Sequence, residues 1–225
     1  MEIFLDSASI REIKEILPWG IATGVTTNQK IFFAERGCNF KKRVQEIASL
    51  VKGPISIELT KTDSSEEDLV SEAVEYSKWR PNIVIKVPMF GDGRGLRIVT
   101  RLRKLNVKTN MTALMSTTQV LLAAKVGATY ASIFFNRIKD AGEDAEEVVR
   151  ESRSLLDKTD TPTRIIVGSI RRTQDVVKAA TAGAHIVTIP YKILIQMPFH
   201  RKTEETIKEF DCAWQEFKLA EKKNT

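Results

Sequence analysis

Eight short apolar runs recur along this chain, and an amphipathic stretch with helical spacing follows nearly every one of them. The runs cover residues 3–6, 24–27, 55–59, 83–87, 108–112, 130–135, 164–169 and 185–189. Most are apolar on both faces, as expected of parallel strands covered by helices. The spacing predicts helices over 10–17, 40–51, 66–78, 94–105, 117–125, 144–156 and 174–182, and a long charged one over 204–222. Ser9 with Glu12 three residues on is a capping-box pattern at the first of them. Parallel strands need a crossover between each pair, usually a helix. Eight strands with eight crossovers and no break in composition predict one closed (β/α)8 TIM barrel, an α/β fold, rather than an open sheet. With 225 residues, 42% of them hydrophobic, the chain is long enough to form it as a single domain over 1–225 with an extended C-terminal helix.

A barrel of this kind presents the C-terminal ends of its strands as the place for a site. Seven consecutive strand ends carry polar groups there. The first ends in Asp6, the second in Thr26, Thr27 and Asn28, the third carries Glu58 and the fourth Lys86. The fifth carries Asn110 and Thr112, the sixth Ser132 with Phe134, and the seventh leads to Ser169 and Arg171. Each of the last three pairs is two residues apart, which puts both side chains on one face of a strand. Singly, each residue has a plainer use. Asp6 suits a helix cap, Asn28 a turn that bonds locally, and Arg137 and Arg171 exposed ion pairs. Glu58 in an apolar run is harder to dismiss, because an unpaired buried carboxylate is costly.

Lys86 is the anomaly among them. It interrupts Asn82-Ile83-Val84-Ile85-Lys86-Val87-Pro88-Met89, and lysine is almost never fully buried without a partner or a purpose. One reading is a strand-end lysine whose head snorkels to water. The other is a desolvated amine, disfavoured as ammonium, that attacks a carbonyl to give a Schiff base. The run alone leaves both open.

Composition narrows the partners. The net charge of +6 is spread over stretches with interleaved acids, as in Lys41-Lys42-Arg43 followed by Glu46. No nucleic-acid reader motif is present, and a mild positive field suits a small anionic substrate. There is no apolar run long enough to cross a bilayer, and the first residues lack the basic flank and apolar core of a signal peptide. Cys38 and Cys212 lie far apart, which fits a reducing cytoplasm. His185 and His200 are too few for a multi-histidine metal site. No metal or organic cofactor is expected.

The segments Phe4-Leu5-Asp6-Ser7-Ala8, Gly24-Val25-Thr26-Thr27-Asn28, Val84-Ile85-Lys86-Val87-Pro88-Met89, Lys108-Thr109-Asn110-Met111-Thr112 and Gly168-Ser169-Ile170-Arg171 succeed one another in order. Together with 121–130 and 182–190 they resemble the small-subunit transaldolases, kin of the fructose-6-phosphate aldolases. The resemblance spans nearly the whole chain. It implies a (β/α)8 barrel with the Schiff-base lysine, Lys86, on the fourth strand. It assigns proton transfer to Glu58 with Thr112 and a water, and C4-hydroxyl deprotonation to Asp6. Donor-hydroxyl contacts fall to Asn28, Asn110 and Ser132, with Phe134 beside them. The phosphate clamp falls to Arg137, Ser169 and Arg171. The substrates would be sugar phosphates of the non-oxidative pentose phosphate pathway.

The resemblance further implies a homo-oligomer, a pentamer or decamer. Phe210, Trp214 and Phe217 fall on one face of the last helix, and that face either meets a neighbour or covers its own barrel. The chain departs from the family pattern at Gln29-Lys30, Asn136 and His200-Arg201, where Pro-Ser or Pro-Thr, Gly and His-Pro are usual, although Asn-Arg at 136–137 also occurs in the aldolase branch. Lys30 either adds a phosphate contact or is solvated, and the solvated reading is favoured. Glu58, Phe134 and Arg171 stand where the aldolase branch carries Gln, Tyr and Lys, which favours group transfer over simple aldol cleavage. A barrel kept only for binding would be marked by loss of Lys86, Asp6 or Glu58, and all three are present. A metal-dependent aldolase is disfavoured by the lack of a histidine cluster.

Overall fold

The strands close on themselves in sequence order, each parallel to the next: β1 (Glu2–Asp6), β2 (Ala22–Thr26), β3 (Ile55–Glu58), β4 (Ile83–Pro88), β5 (Thr109–Leu114), β6 (Tyr130–Phe134), β7 (Arg164–Gly168) and β8 (Ile186–Pro190). In the computed structural model, which describes residues 1–223, β8 returns to pair with β1 and completes the ring. Around it run α1 (Ile10–Ile16), a 3-10 turn (Leu17–Trp19), α2 (Gln29–Ala34), α3 (Phe40–Leu50), α4 (Glu66–Ser77), α5 (Arg94–Lys104), α6 (Thr117–Lys125), α7 (Phe135–Asp140), α8 (Ala145–Lys158), α9 (Thr173–Thr181), α10 (Tyr191–Leu194) and α11 (Arg201–Lys223). The expected barrel and its long last helix are therefore present. Among the described residues no helix is long and apolar enough to cross a membrane.

Three helices escape the sequence pattern: α2, α7 and α10, of six, six and four residues. Such lengths show too little periodicity to be read. All three come after the C-terminal ends of strands, at the rim where a site is expected. The capping box at Ser9 is also not formed. Ser9 gives α1 no side-chain cap. The Ser7 hydroxyl instead accepts the Ser9 amide and donates to Glu12, so the pattern is relayed through a neighbour.

Two apolar cores lie on opposite sides of the strands. The larger one joins the strands to the helices and includes Leu5, Val25, Ile57, Ile85 and Val87. The smaller one fills the barrel: Phe4, Val84, Tyr130, Ile166 and Ile186. Phe4 and Tyr130 meet edge to face with ring centroids 6.2 Å apart. Gly24 makes room for this plug, because a Cβ there would stand 2.7 Å from the Phe4 ring. Two residues further along each of these strands, the inward positions are Asp6, Lys86, Ser132, Gly168 and Thr188. The apolar plug is thus a floor, and the next layer up is polar.

The last helix behaves differently from the rest. Phe210, Trp214 and Phe217 are 68%, 54% and 54% exposed, and the Trp214 and Phe217 rings stack on each other. This face does not cover the helix's own barrel.

Candidate active site

Above the floor lies a cavity of about 150 Å³ lined by Asp6, Thr26, Asn28, Lys86, Ser132, Phe134, Arg137, Gly168, Ser169 and Thr188. It shares Asp6, Asn28, Arg137 and Ser169 with a wider vestibule of about 540 Å³ that also includes Lys30, Arg171 and Tyr191. Eight residues singled out from the sequence line the inner cavity together: Asp6, Thr26, Asn28, Lys86, Ser132, Phe134, Arg137 and Ser169.

Strand register sets the geometry around the amine. Glu58 pairs with Lys86 across β3 and β4, and Lys86 with Asn110 across β4 and β5. Lys86 is only 4% exposed, which removes the snorkelling reading. Its Nζ donates to the Thr27 carbonyl at 3.0 Å and lies 3.5 Å from Glu58 Oε2. The strand end that carries Glu58 is pinned from two sides. Gln29 Nε2 donates to the Leu59 carbonyl at 2.7 Å. Buried Glu72 of α4 accepts the Thr60 amide at 3.1 Å and the Tyr76 hydroxyl at 2.6 Å. Burial and this carboxylate push the Tyr76 phenol up to about 12, so it remains a donor.

Asp6 stands across the cavity from the amine. Desolvation within the barrel raises its carboxyl above the ordinary value, against the opposing pull of Lys86 and of a hydrogen bond from Thr26 Oγ1 at 2.7 Å. Thr26 in turn bonds the Thr188 hydroxyl. Asp6 caps no helix, so its plainer reading falls. Asn28 does both jobs: its Oδ1 accepts the Ile31 amide at 2.9 Å as N-cap of α2, and the residue lines both cavities. Among the described residues its Nδ2 donates to no partner.

Asn110 and Thr112 lie behind the cavity wall, both fully buried. Asn110 Oδ1 accepts from Ser132 Oγ at 2.7 Å and its Nδ2 donates to Ser56 Oγ at 3.2 Å, so it orients Ser132. Among the described residues the Thr112 hydroxyl has no hydrogen-bond partner.

At the outer end, Arg137 is exposed, and among the described residues it forms no ion pair. Arg171 is held fork to fork by Asp140, at 2.7 and 2.5 Å. Ser169 and Arg171 lie past the end of β7, and Ser169 has φ +59°. The alternation inferred from their spacing therefore does not apply to them; a turn places both at the rim. Lys30 is exposed at the vestibule edge, in line with its solvated reading. Thr188 escapes the strand-end reading, although the run Ile186-Val187-Thr188-Ile189 carries its period-two signal. Asn136, Asp140 and Asp175 escape it because only the fold brings α7 and α9 together.

A protein-family model described as transaldolase/fructose-6-phosphate aldolase matches residues 3–224. A protein of Desulforudis audaxviator named "Probable transaldolase" is 43% identical over 218 residues, 97% of this chain and 99% of its own. One from Carboxydothermus hydrogenoformans with the same name is 44% identical, covering 97% of this chain and 100% of its own. Among solved structures, the flavin-binding domain of baker's yeast flavocytochrome b2 matches with a TM-score of 0.58 at 14% identity. That match covers 84% of this chain and 57% of the other, and it is a likeness of fold alone.

Replacing Thr26 with valine keeps the shape and removes the bond to Asp6. The Asp6 carboxyl should then titrate at higher pH, as read by carboxyl-carbon NMR. Because its value in the fold is already raised, stability should fall as pH climbs from the unfolded value to the folded one, and Thr26→Val should widen that window. No upward movement would mean that the bond does not tune Asp6.

Proposed function

Because the chain belongs to the transaldolase/fructose-6-phosphate aldolase family, we propose that it is a transaldolase working through an imine on Lys86. It moves a three-carbon dihydroxyacetone unit from a ketose phosphate to an aldose phosphate, a step of the non-oxidative pentose phosphate pathway. Fructose 6-phosphate or sedoheptulose 7-phosphate is the donor, and erythrose 4-phosphate or glyceraldehyde 3-phosphate the acceptor. The observation that carries this reading is the buried Lys86 amine, which lies 3.5 Å from Glu58 and lines the same cavity as Asp6.

The free amine of Lys86 attacks C2 of the ketose. The resulting carbinolamine loses water, with Glu58 giving and taking the proton. Thr112, whose hydroxyl has no partner among the described residues, helps to hold the water Glu58 uses. Asp6 takes the proton of the C4 hydroxyl, the C3–C4 bond breaks, and its electrons pass into the iminium. The raised carboxyl of Asp6 makes it a better proton acceptor than an ordinary aspartate. The aldehyde half leaves. The bound three-carbon unit then attacks the acceptor aldehyde, the same groups act in reverse, and water releases the product from Lys86.

Asn28 and Ser132, the latter backed by Asn110, meet the donor hydroxyls. Arg137, Ser169 and Arg171 receive the phosphate at the vestibule. Arg137, without an ion pair among the described residues, offers a guanidinium that can bind oxyanions through two bonds, and Arg171 exchanges its bonds to Asp140 for the phosphate. Phe134 lines the cavity where the aldolase branch has a tyrosine. It offers no hydroxyl to place a water for quenching the carbanion, and Glu58 supplies a carboxylate where that branch has an amide. Both favour transfer. The exposed face of α11 supports assembly with further copies of this chain, and we place the enzyme in the cytoplasm, with no nucleic-acid or membrane partner.

Borohydride added with fructose 6-phosphate should add mass to the peptide containing Lys86 and inactivate the enzyme, and Lys86→Met should abolish turnover. Glu58→Gln should slow transfer by roughly 10²–10⁴-fold, the usual worth of acid-base help. Label on another lysine would remove the central assignment.

Turnover of fructose 6-phosphate should depend on added erythrose 4-phosphate, with free dihydroxyacetone a minor product. If dihydroxyacetone is released as fast as it is transferred, the fructose-6-phosphate aldolase reading replaces this one. Light scattering should report a mass well above the 25.4 kDa of one chain; a monomer at micromolar concentration would defeat the assembly.

A further inference from the structure

Asn136 of α7 and Asp175 of α9 are buried polar residues, and neither lines the inner cavity or the vestibule. They bond each other: Asn136 Nδ2 donates to Asp175 Oδ2 at 2.8 Å and also to the Ser169 carbonyl at 2.8 Å. The same carboxylate oxygen accepts the backbone amides of Arg171 at 3.1 Å and Arg172 at 3.0 Å. Lys139 Nζ stands 3.9 Å from the other oxygen. Burial alone would raise this carboxyl, but the bonds from Asn136, Arg171 and Arg172 carry it below the usual carboxylate range. It is therefore an anion at neutral pH, and its hydrogen bonds are of the charge-assisted kind.

These bonds bracket a strained residue. Ser169, at φ +59°, occupies the left-handed region that side chains other than glycine rarely adopt. Such a conformation persists where the surroundings over-determine it. Asn136 holds the carbonyl of Ser169, and Asp175 holds the amides two and three residues on. Asn136 is also the residue before Arg137. One buried pair thus fixes the backbone that carries Ser169 and Arg171 and ties it to the helix that carries Arg137. Glycine, usual in the family at position 136, could make neither of the Asn136 bonds.

We propose that Asn136 and Asp175 are positioning residues of the phosphate site, acting through the turn at 169–172 to set the preference for phosphorylated donors. The proposal rests on the reading of Arg137, Ser169 and Arg171 as the phosphate clamp. A role in capping α9 alone would alter stability and affect every substrate alike.

The test compares wild type, Asn136→Ala, Asp175→Asn and Arg171→Ala. Each is assayed with fructose 6-phosphate and with fructose as donor, and for competitive inhibition by inorganic phosphate. Asn136→Ala should raise KM for fructose 6-phosphate and Ki for phosphate by about tenfold, the scale of one hydrogen bond to a charged group. Its kcat should stay within about twofold, and kcat/KM for fructose should move little, the pattern of lost binding rather than lost chemistry. Asp175→Asn, nearly the same shape, should show the same split and decides the matter if Asn136→Ala melts below the assay temperature. Equal losses on both donors, or an unchanged phosphate Ki, overturn the proposal. If Arg171→Ala weakens phosphate while the other two variants do not, the clamp stands and only the positioning role fails. If Arg171→Ala also leaves phosphate unaffected, both fall.

Discussion

Burying a lysine in a barrel is tolerable only if the amine finds polar partners, and the period of two along each strand supplies them. Phe4, Val84, Tyr130, Ile166 and Ile186 close the barrel from below. One step of two residues above them, the same strands turn Asp6, Lys86, Ser132, Gly168 and Thr188 inward. The floor keeps water from the underside of the amine, and the layer above gives it Thr27 and Glu58. Shift any one strand by a single residue and its reactive group would face the helices instead. Burial of one face of each strand specifies that register, and Gly24 leaves the space that Phe4 occupies.

The two ends of the cavity are built by different means. The inner end rests on strands, whose hydrogen-bonded ladders hold Glu58, Lys86 and Asn110 side by side. The outer end rests on short helices and a turn, which have no such ladder. There, side-chain bonds to the backbone take over: Asn28 caps α2, Gln29 holds the Leu59 carbonyl, and Asn136 with Asp175 holds the turn beyond β7. An inner end held by ladders and an outer end held by side-chain bonds can vary separately, because a change in a rim side chain leaves the strand register untouched. The departures at Gln29 and Asn136 fall at the rim, in keeping with that division.

Much of this architecture is legible in the sequence because it depends on local pattern. The eight strands lie within two residues of the runs that predict them, and the inner cavity gathers eight of the residues singled out from the sequence. The departures depend on geometry beyond the strands. The spacing of Ser169 and Arg171 suggests one strand face, but β7 ends at Gly168 and a left-handed residue re-aims the chain beyond it. Ser9 and Glu12 carry a capping pattern, yet the Ser7 hydroxyl stands between them. Asn110, expected to contact substrate, lies one layer back, bonded to Ser132.

The sequence by itself determined the barrel, the strand that carries the amine, and the ring of polar groups around it. Each is written in alternation along single segments, where side-chain direction follows from backbone geometry. Only the tertiary structure decided which of those groups touch. The 3.5 Å between Lys86 and Glu58, the raised carboxyl of Asp6, the Arg171–Asp140 pair and the Asn136–Asp175 pair all join residues distant along the chain. Such contacts depend on barrel closure, strand register and desolvation, which no local run of residues encodes.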